Sequence, residues 1–171
     1  IWHIIEVNYY VEKEYAPYAK DIFGLTPEML EFFSKKLGVS THITESVWSP
    51  ILWDRGMRKE NGFLVSYFGA LDFDDPGYSI EMASNDWLKF RHVVGPTKSH
   101  MTEKNGKPAC DRFRLIFQWA RPIHDLKTYR WNMRKLIAKY NADPACVDGA
   151  RFYWPCLEIV SKVEAGSLVA V

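Results

Sequence analysis

A chain of 171 residues that is 47% hydrophobic, 25% charged and 15% aromatic is long enough to bury its own core and reads as a single domain over residues 1–171. Its apolar runs are far too short to cross a bilayer, and no charged, then apolar, then small-residue signal opens it, so no membrane partner is expected and a cytoplasmic location is. A net charge of +1 says nothing by itself about a polyanionic partner, and three cysteines without CxxC spacing, Cys110, Cys146 and Cys156, argue against a disulfide framework and against a zinc site.

The chain opens on Ile1 rather than Met, as a trimmed fragment or a chain with a disordered leader would. Residues 1–11, rich in β-branched and aromatic side chains, read as a strand. Thr26-Pro27-Glu28 is a helix start, with Thr26 as N-cap and Pro27 at the first helical position. Met29, Leu30, Phe32, Phe33 and Leu37 supply its apolar stripe and Gly38 ends it. Trp48, Ile51, Leu52 and Trp53 read as buried, and Asp54 to Gly62 as a charged loop in which Arg55, Arg58 and Lys59 could reach a phosphate, though solvation accounts for them as well. These parts form an N-terminal α/β unit over about residues 1–62, ahead of a core over about 63–171.

The core begins with an apolar strand, Phe63 to Leu71, that runs into Asp72-Phe73-Asp74 and is broken by Asp75-Pro76-Gly77. Side chains alternate across a strand, so Asp72 and Asp74 share a face while Phe73 points into the core. Two like charges that close repel unless a cation lies between them, and one or two hard divalent ions, Mg²⁺ or Mn²⁺, are the natural partner. The competing account is that three Asp residues before Pro-Gly simply favour a turn. Tyr78 to Phe90 fits a short helix, and His92 to Gly95 a strand that enters Pro96-Thr97-Lys98-Ser99-His100. Lys104-Asn105-Gly106-Lys107 reads as a hairpin tip, and Cys110 to Phe117 as a strand that places Arg112 and Arg114 on one face, opposite Phe113, Leu115 and Phe117. Two guanidiniums beside a lysine and an imidazole make a polyanion cradle.

Asp125 caps a strong helix, Leu126 to Tyr140, whose buried stripe is Tyr129, Met133, Leu136, Ile137 and Tyr140 and whose wet side carries Lys127, Arg130, Arg134, Lys135 and Lys139. Asp143 and Asp148 are loop carboxylates ahead of Arg151 and an aromatic strand, and residues 157–171 read as one or two terminal strands turning at Gly166. Charge is unevenly spread. Residues 1–88 carry 7 basic against 14 acidic side chains, residues 89–139 carry 13 against 3, and residues 140–171 carry 2 against 4. The basic middle also holds Phe113, Phe117, Trp119, Tyr129 and Trp131, pairing positive charge with stacking surface.

The order of these parts resembles the archaeo-eukaryotic primase superfamily, in particular the primase-polymerases of plasmids, phages and CRISPR-associated systems. Leu71-Asp72-Phe73-Asp74 is similar to that family's first acidic motif and Lys98-Ser99-His100 to its second, although Lys98 stands where a small residue is usual. Ala142-Asp143 and Val147-Asp148 both match the third motif. Asp143 is favoured because it directly follows the helix. The resemblance covers about residues 64 to 156.

It implies an α+β fold, a mixed sheet with an RNA-recognition-motif-like catalytic core plus the N-terminal unit, and template-dependent nucleotidyl transfer: DNA primer synthesis or DNA polymerisation by a two-metal mechanism. Asp72, Asp74 and Asp143, with Asp148 as the alternative third acid, would hold two Mg²⁺ or Mn²⁺ ions. Lys98, Ser99, His100, Arg112 and Arg114 would grip a nucleoside triphosphate, with His100 in a catalytic role. Arg130, Arg134 and Arg151 would contact a single-stranded DNA template, and a fused or associated helicase or primer-binding module is a further expected partner. A metal-dependent nuclease or phosphodiesterase and a non-catalytic single-stranded nucleic-acid-binding module are the rival functions.

Overall fold

The computed structural model describes residues 48–53 and 58–171. The strand expected over residues 1–11, the helix expected from Thr26 and thus most of the N-terminal α/β unit lie outside the described residues. The fold is α+β. In chain order it contains β1 (Ile51–Trp53), β2 (Phe63–Phe73), α1 (Ile80–Asp86), β3 (His92–Pro96), β4 (Phe113–Ile123), α2 (Leu126–Tyr140) and β5 (Ser161–Val163), with short 3-10 turns at Glu60–Gly62 and Pro144–Val147.

The five strands form one sheet in the order β1-β2-β4-β3-β5. Every ladder between these described strands is antiparallel, while the expectation was a mixed sheet for the chain as a whole. The reason is the insertion of β4: β2 and β3 run the same way, joined through α1, but β4 lies between them and opposes both. Parallel pairing among the described residues is confined to the single bridges Phe90↔Ser167 and Trp119↔Val169.

A register shift between Ser66 and Phe68 sets which side chains of β2 face which way. Such a bulge puts Tyr67 and Phe68 into the same cluster, and beyond it Phe68, Ala70 and Asp72 share one face while Gly69, Leu71 and Phe73 share the other. The second face carries the main core. There Leu71, Phe73, Phe113, Leu115 and Phe117 pack beneath Trp87, which follows α1, and beneath Tyr129 and Met133 of α2. Phe73 and Phe113 stack at 4.7 Å between ring centroids, and Phe117 meets Trp87 at 5.0 Å and Trp119 edge-on at 4.7 Å. The first face carries a smaller cluster of Trp48, Val65, Tyr67, Phe68, Ala70, Val93, Ile116 and Tyr153.

Both helices start on carboxylate or hydroxyl caps. Ser79 accepts from the Met82 N–H at 3.1 Å and Asp111 from the Ile80 N–H at 2.9 Å. Asp125 accepts from the Thr128 N–H at 2.8 Å, which pulls its carboxyl below the ordinary value. The helix expected over Tyr78–Phe90 is shorter, Ile80–Asp86, because the chain turns at Trp87 to bring that ring and Phe90 onto the core. The tip at Lys104–Lys107 closes as a bridge with Asn105 and Gly106 at φ of 53° and 74°, the paired positive values of a type I′ turn.

Gly69 pairs with Phe117 across the β2–β4 ladder, and a Cβ there would overlap the Phe117 ring. Gly69→Ala is therefore expected to cost about 1–3 kcal/mol of stability through overpacking. Thermal unfolding followed by circular dichroism measures it, and an unchanged midpoint would show that the ring has room to move.

Candidate active site

Asp72 is the penultimate residue of β2, and the sheet fixes it from both edges. On one side it stands opposite Arg114 in β4. On the other its N–H donates to Cys146 Sγ at 3.2 Å and its carbonyl accepts from the Asp143 N–H at 2.8 Å, so the turn that follows α2 is tied to the end of β2. The residue is 5% exposed. Its Oδ1 lies 3.3 Å from Arg114 Nε and its Oδ2 lies 3.4 Å from Arg151 Nη2. Oδ1 and Arg114 Nε are charged neighbours but are not aligned as a hydrogen bond, and both atoms are buried without one. Burial pushes the Asp72 carboxyl up from its ordinary value. Arg114 pulls it down, Asp74 raises it, Arg151 lowers it and Asp143 raises it, and the net shift is upward.

An open cleft of about 1210 Å³ lies over this face, lined among others by Asp72, Asp74, Thr97, Lys98, Ser99, Lys104, Arg114, Asp148 and Arg151. Asp74, just beyond the strand, is half exposed and accepts from Lys104 Nζ at 3.0 Å. Lys98 is exposed at the rim, with Ser99 partly buried beside it.

Arg112 departs from its expected place in a phosphate cradle. It is 0% exposed. Its Nε donates to the Asp74 carbonyl at 3.0 Å, Nη1 to the Ser99 carbonyl at 3.0 Å and to the Thr102 carbonyl, and Nη2 to the Pro108 carbonyl at 3.0 Å. With its donors taken up by carbonyls, it clamps the 97–108 loop to the end of β2 rather than facing a ligand. His100 does not line the cleft either. Its Nδ1 accepts from the Arg112 N–H at 3.3 Å and lies 3.9 Å from Asp111 Oδ1, so the ring supports the root of the same loop.

The third acidic position resolves into two different places. Asp143 caps the 3-10 turn by accepting from the Ala145 N–H at 2.9 Å, and its Oδ2 accepts from Arg151 Nη2 at 3.1 Å. A single guanidinium nitrogen thus lies between Asp143 and Asp72. Asp148 lines the cleft and caps the Ala150 N–H at 2.8 Å. Arg151, expected on a template, sits instead on Asp72 and Asp143.

Sequence reasoning missed Tyr153. Its ring carries the guanidiniums of both Arg114 and Arg151, at 5.2 and 5.3 Å. It is held in turn by stacking on Trp48 at 4.8 Å and by a hydrogen bond from its hydroxyl to the Ala70 carbonyl at 3.2 Å. The aromatic run after Arg151 was the available signal. Arg58, set aside as solvated, lies over the Phe152 ring at 4.5 Å at the edge of the cleft.

Arg130 and Arg134 are not brought to this cleft. They belong to α2, which packs on the opposite face of the sheet; Arg130 is paired with Glu60 and Arg134 is exposed. The basic stretch of sequence is therefore split between two faces.

The donor set suits a hard divalent cation in kind, being made of carboxylate oxygens, and Asp72 Oδ1 is a buried acceptor that a cation would satisfy. Among the described residues no three His, Cys, Asp or Glu side chains converge closely enough to form a metal cluster, and Arg151 Nη2 holds the space between Asp72 and Asp143. Asp72 and Asp74 are thus the residues that would hold such an ion.

Two outcomes are expected from this geometry. Arg112→Lys, too short to reach four carbonyls, should lower stability by about 3 kcal/mol in denaturant unfolding, with faster proteolysis inside 98–108; unchanged values would refute the clamp. Burial pushes the Cys146 and Cys156 thiols up to about 11, which leaves little thiolate at neutral pH, whereas Cys110 is partly exposed. One equivalent of rapid alkylation, mapped to Cys110 by mass spectrometry, is expected of the native protein. No family model matches the chain, and neither a curated protein nor a solved structure matches it.

Proposed function

We propose that the cleft over Asp72 and Asp74 carries out metal-dependent nucleotidyl transfer on a single-stranded DNA template, as a primase-polymerase of the archaeo-eukaryotic type. The observation that carries this reading is the meeting of two strand-end carboxylates with Lys98, Ser99, Arg114 and Arg151 in one open cleft. The charge balance points the same way. Five cationic side chains, Arg58, Lys98, Lys104, Arg114 and Arg151, line the cleft against four carboxylates, Asp72, Asp74, Glu103 and Asp148. So small an excess cannot neutralise a triphosphate, and metal ions would have to supply the remainder. The β2-α1-β3-β4-α2 order, with β4 placed between β2 and β3, supports an RNA-recognition-motif-like core.

When bound, Mg²⁺ or Mn²⁺ supplies the Lewis acid that makes a 3′ hydroxyl nucleophilic and offsets charge on the departing pyrophosphate. The side chains supply position. Asp72, immobilised by the ladder and by its two arginines, fixes one carboxylate, and Asp74 offers a second from the more open side of the cleft. Lys98 and the Ser99 hydroxyl lie where a triphosphate would enter, and charge that develops on its oxygens strengthens the contact with Lys98 in the transition state. The template would run past Arg58, Phe152 and Trp154, which offer a cation and stacking surface on the same side as the carboxylates, rather than along α2.

Incubation with a primed single-stranded template, nucleotides and Mn²⁺ should yield extended strands. Asp72→Ala and Asp74→Ala should abolish extension while retention of the labelled strand stays equal or tightens. Shortened templates would identify a nuclease instead. Strand binding that is kept by the wild type with neither extension nor cleavage would identify a binding module.

A further inference from the structure

Arg151 Nη2 lies 3.4 Å from Asp72 Oδ2 and 3.1 Å from Asp143 Oδ2, and its guanidinium rests on the face of Tyr153. One nitrogen bridging two carboxylates is where a bridging cation would stand, and Mg²⁺ requires oxygen contacts of about 2.1 Å. Nitrogen and ion cannot share that space. Asp72 Oδ1, on a side chain almost wholly buried, is paired with Arg114 Nε at 3.3 Å but has no aligned hydrogen bond, so the cluster is not fully satisfied. Arg151 itself is only partly buried and lines the open cleft, so its guanidinium has somewhere to go.

We propose that Arg151 is a built-in stand-in for the divalent ion: it holds Asp72 and Asp143 together in the metal-free protein, and metal entry releases its guanidinium into the cleft as an added ligand for phosphate. The proposal rests on the metal-dependent reading above and adds to it an exchange between a protein cation and a metal cation. It also explains why a residue expected on the template is found on two aspartates. Released, Arg151 would face the same cleft as Lys98, so that the anion-binding charge becomes available when the metal arrives.

The test is Mn²⁺ affinity, read from the free-ion electron paramagnetic resonance signal, in wild type, Arg151→Gln and Arg58→Gln. Arg58→Gln removes the same charge from the same cleft without touching the carboxylates. Arg151→Gln is expected to bind Mn²⁺ on the order of tenfold tighter than wild type, and Arg58→Gln to shift the affinity far less. Arg151→Gln should also melt at a lower temperature without metal and recover with Mn²⁺. Equal affinities for the two variants would overturn the exchange and leave the metal-dependent reading standing. Loss of all Mn²⁺ binding in wild type and Arg151→Gln alike would overturn both. Should Arg151→Gln not fold, Mg²⁺ titration of wild type followed by arginine side-chain NMR decides: a shift of the Arg151 guanidinium with Arg112 unmoved supports exchange, and an unmoved Arg151 refutes it.

Discussion

A carboxylate kept out of water beside two guanidiniums is the constraint on which the site depends. Asp72 is placed where it is with Arg114 directly across the ladder and Arg151 reaching it from the chain after the Pro144–Val147 turn. Burial alone would favour its neutral form, and the two arginines offset part of that penalty without reversing it. The surrounding architecture serves this arrangement. The Pro144–Val147 turn is fastened to the backbone of Asp72, and Tyr153 presents one ring to both guanidiniums.

Arg112 and Arg114 show how two like residues on neighbouring positions of one face come to opposite uses. Arg114 lies within the strand, so its side chain stays over the sheet, beside Asp72. Arg112 lies just before the strand, where the 97–108 loop folds back and surrounds its guanidinium with carbonyls. A planar group with five donors is suited to that task, and the outcome is a loop whose Lys98 and Ser99 keep a fixed relation to Asp74.

Much of this was legible from residue order. The bounds of α2 followed from its period and from Asp125, and the end of β2 from an apolar run meeting Asp-Pro-Gly. The tip at Asn105-Gly106 followed from turn chemistry. What escaped was set by contacts between distant parts of the chain. Period two assigns Arg112 a face but not the end point of a long side chain. A basic window in sequence does not reveal that α2 packs on the face opposite the cleft. The link from Asp143 to Asp72 passes through Arg151 and a backbone hydrogen bond across the edge of β2, which no local pattern encodes.

The two strand-end acids differ in how firmly they are committed. Asp72 is buried between Arg114 and the partly buried Arg151, whereas Asp74 leans on Lys104 at a half-exposed tip, where water and salt weaken the pairing. A cation bound there would meet one carboxylate set by the ladder and its arginines and one held only at a half-exposed tip. On the proposed reading, the buried acid would set where an ion rests, and the more exposed acid would let the coordination shell close around ligands of different size.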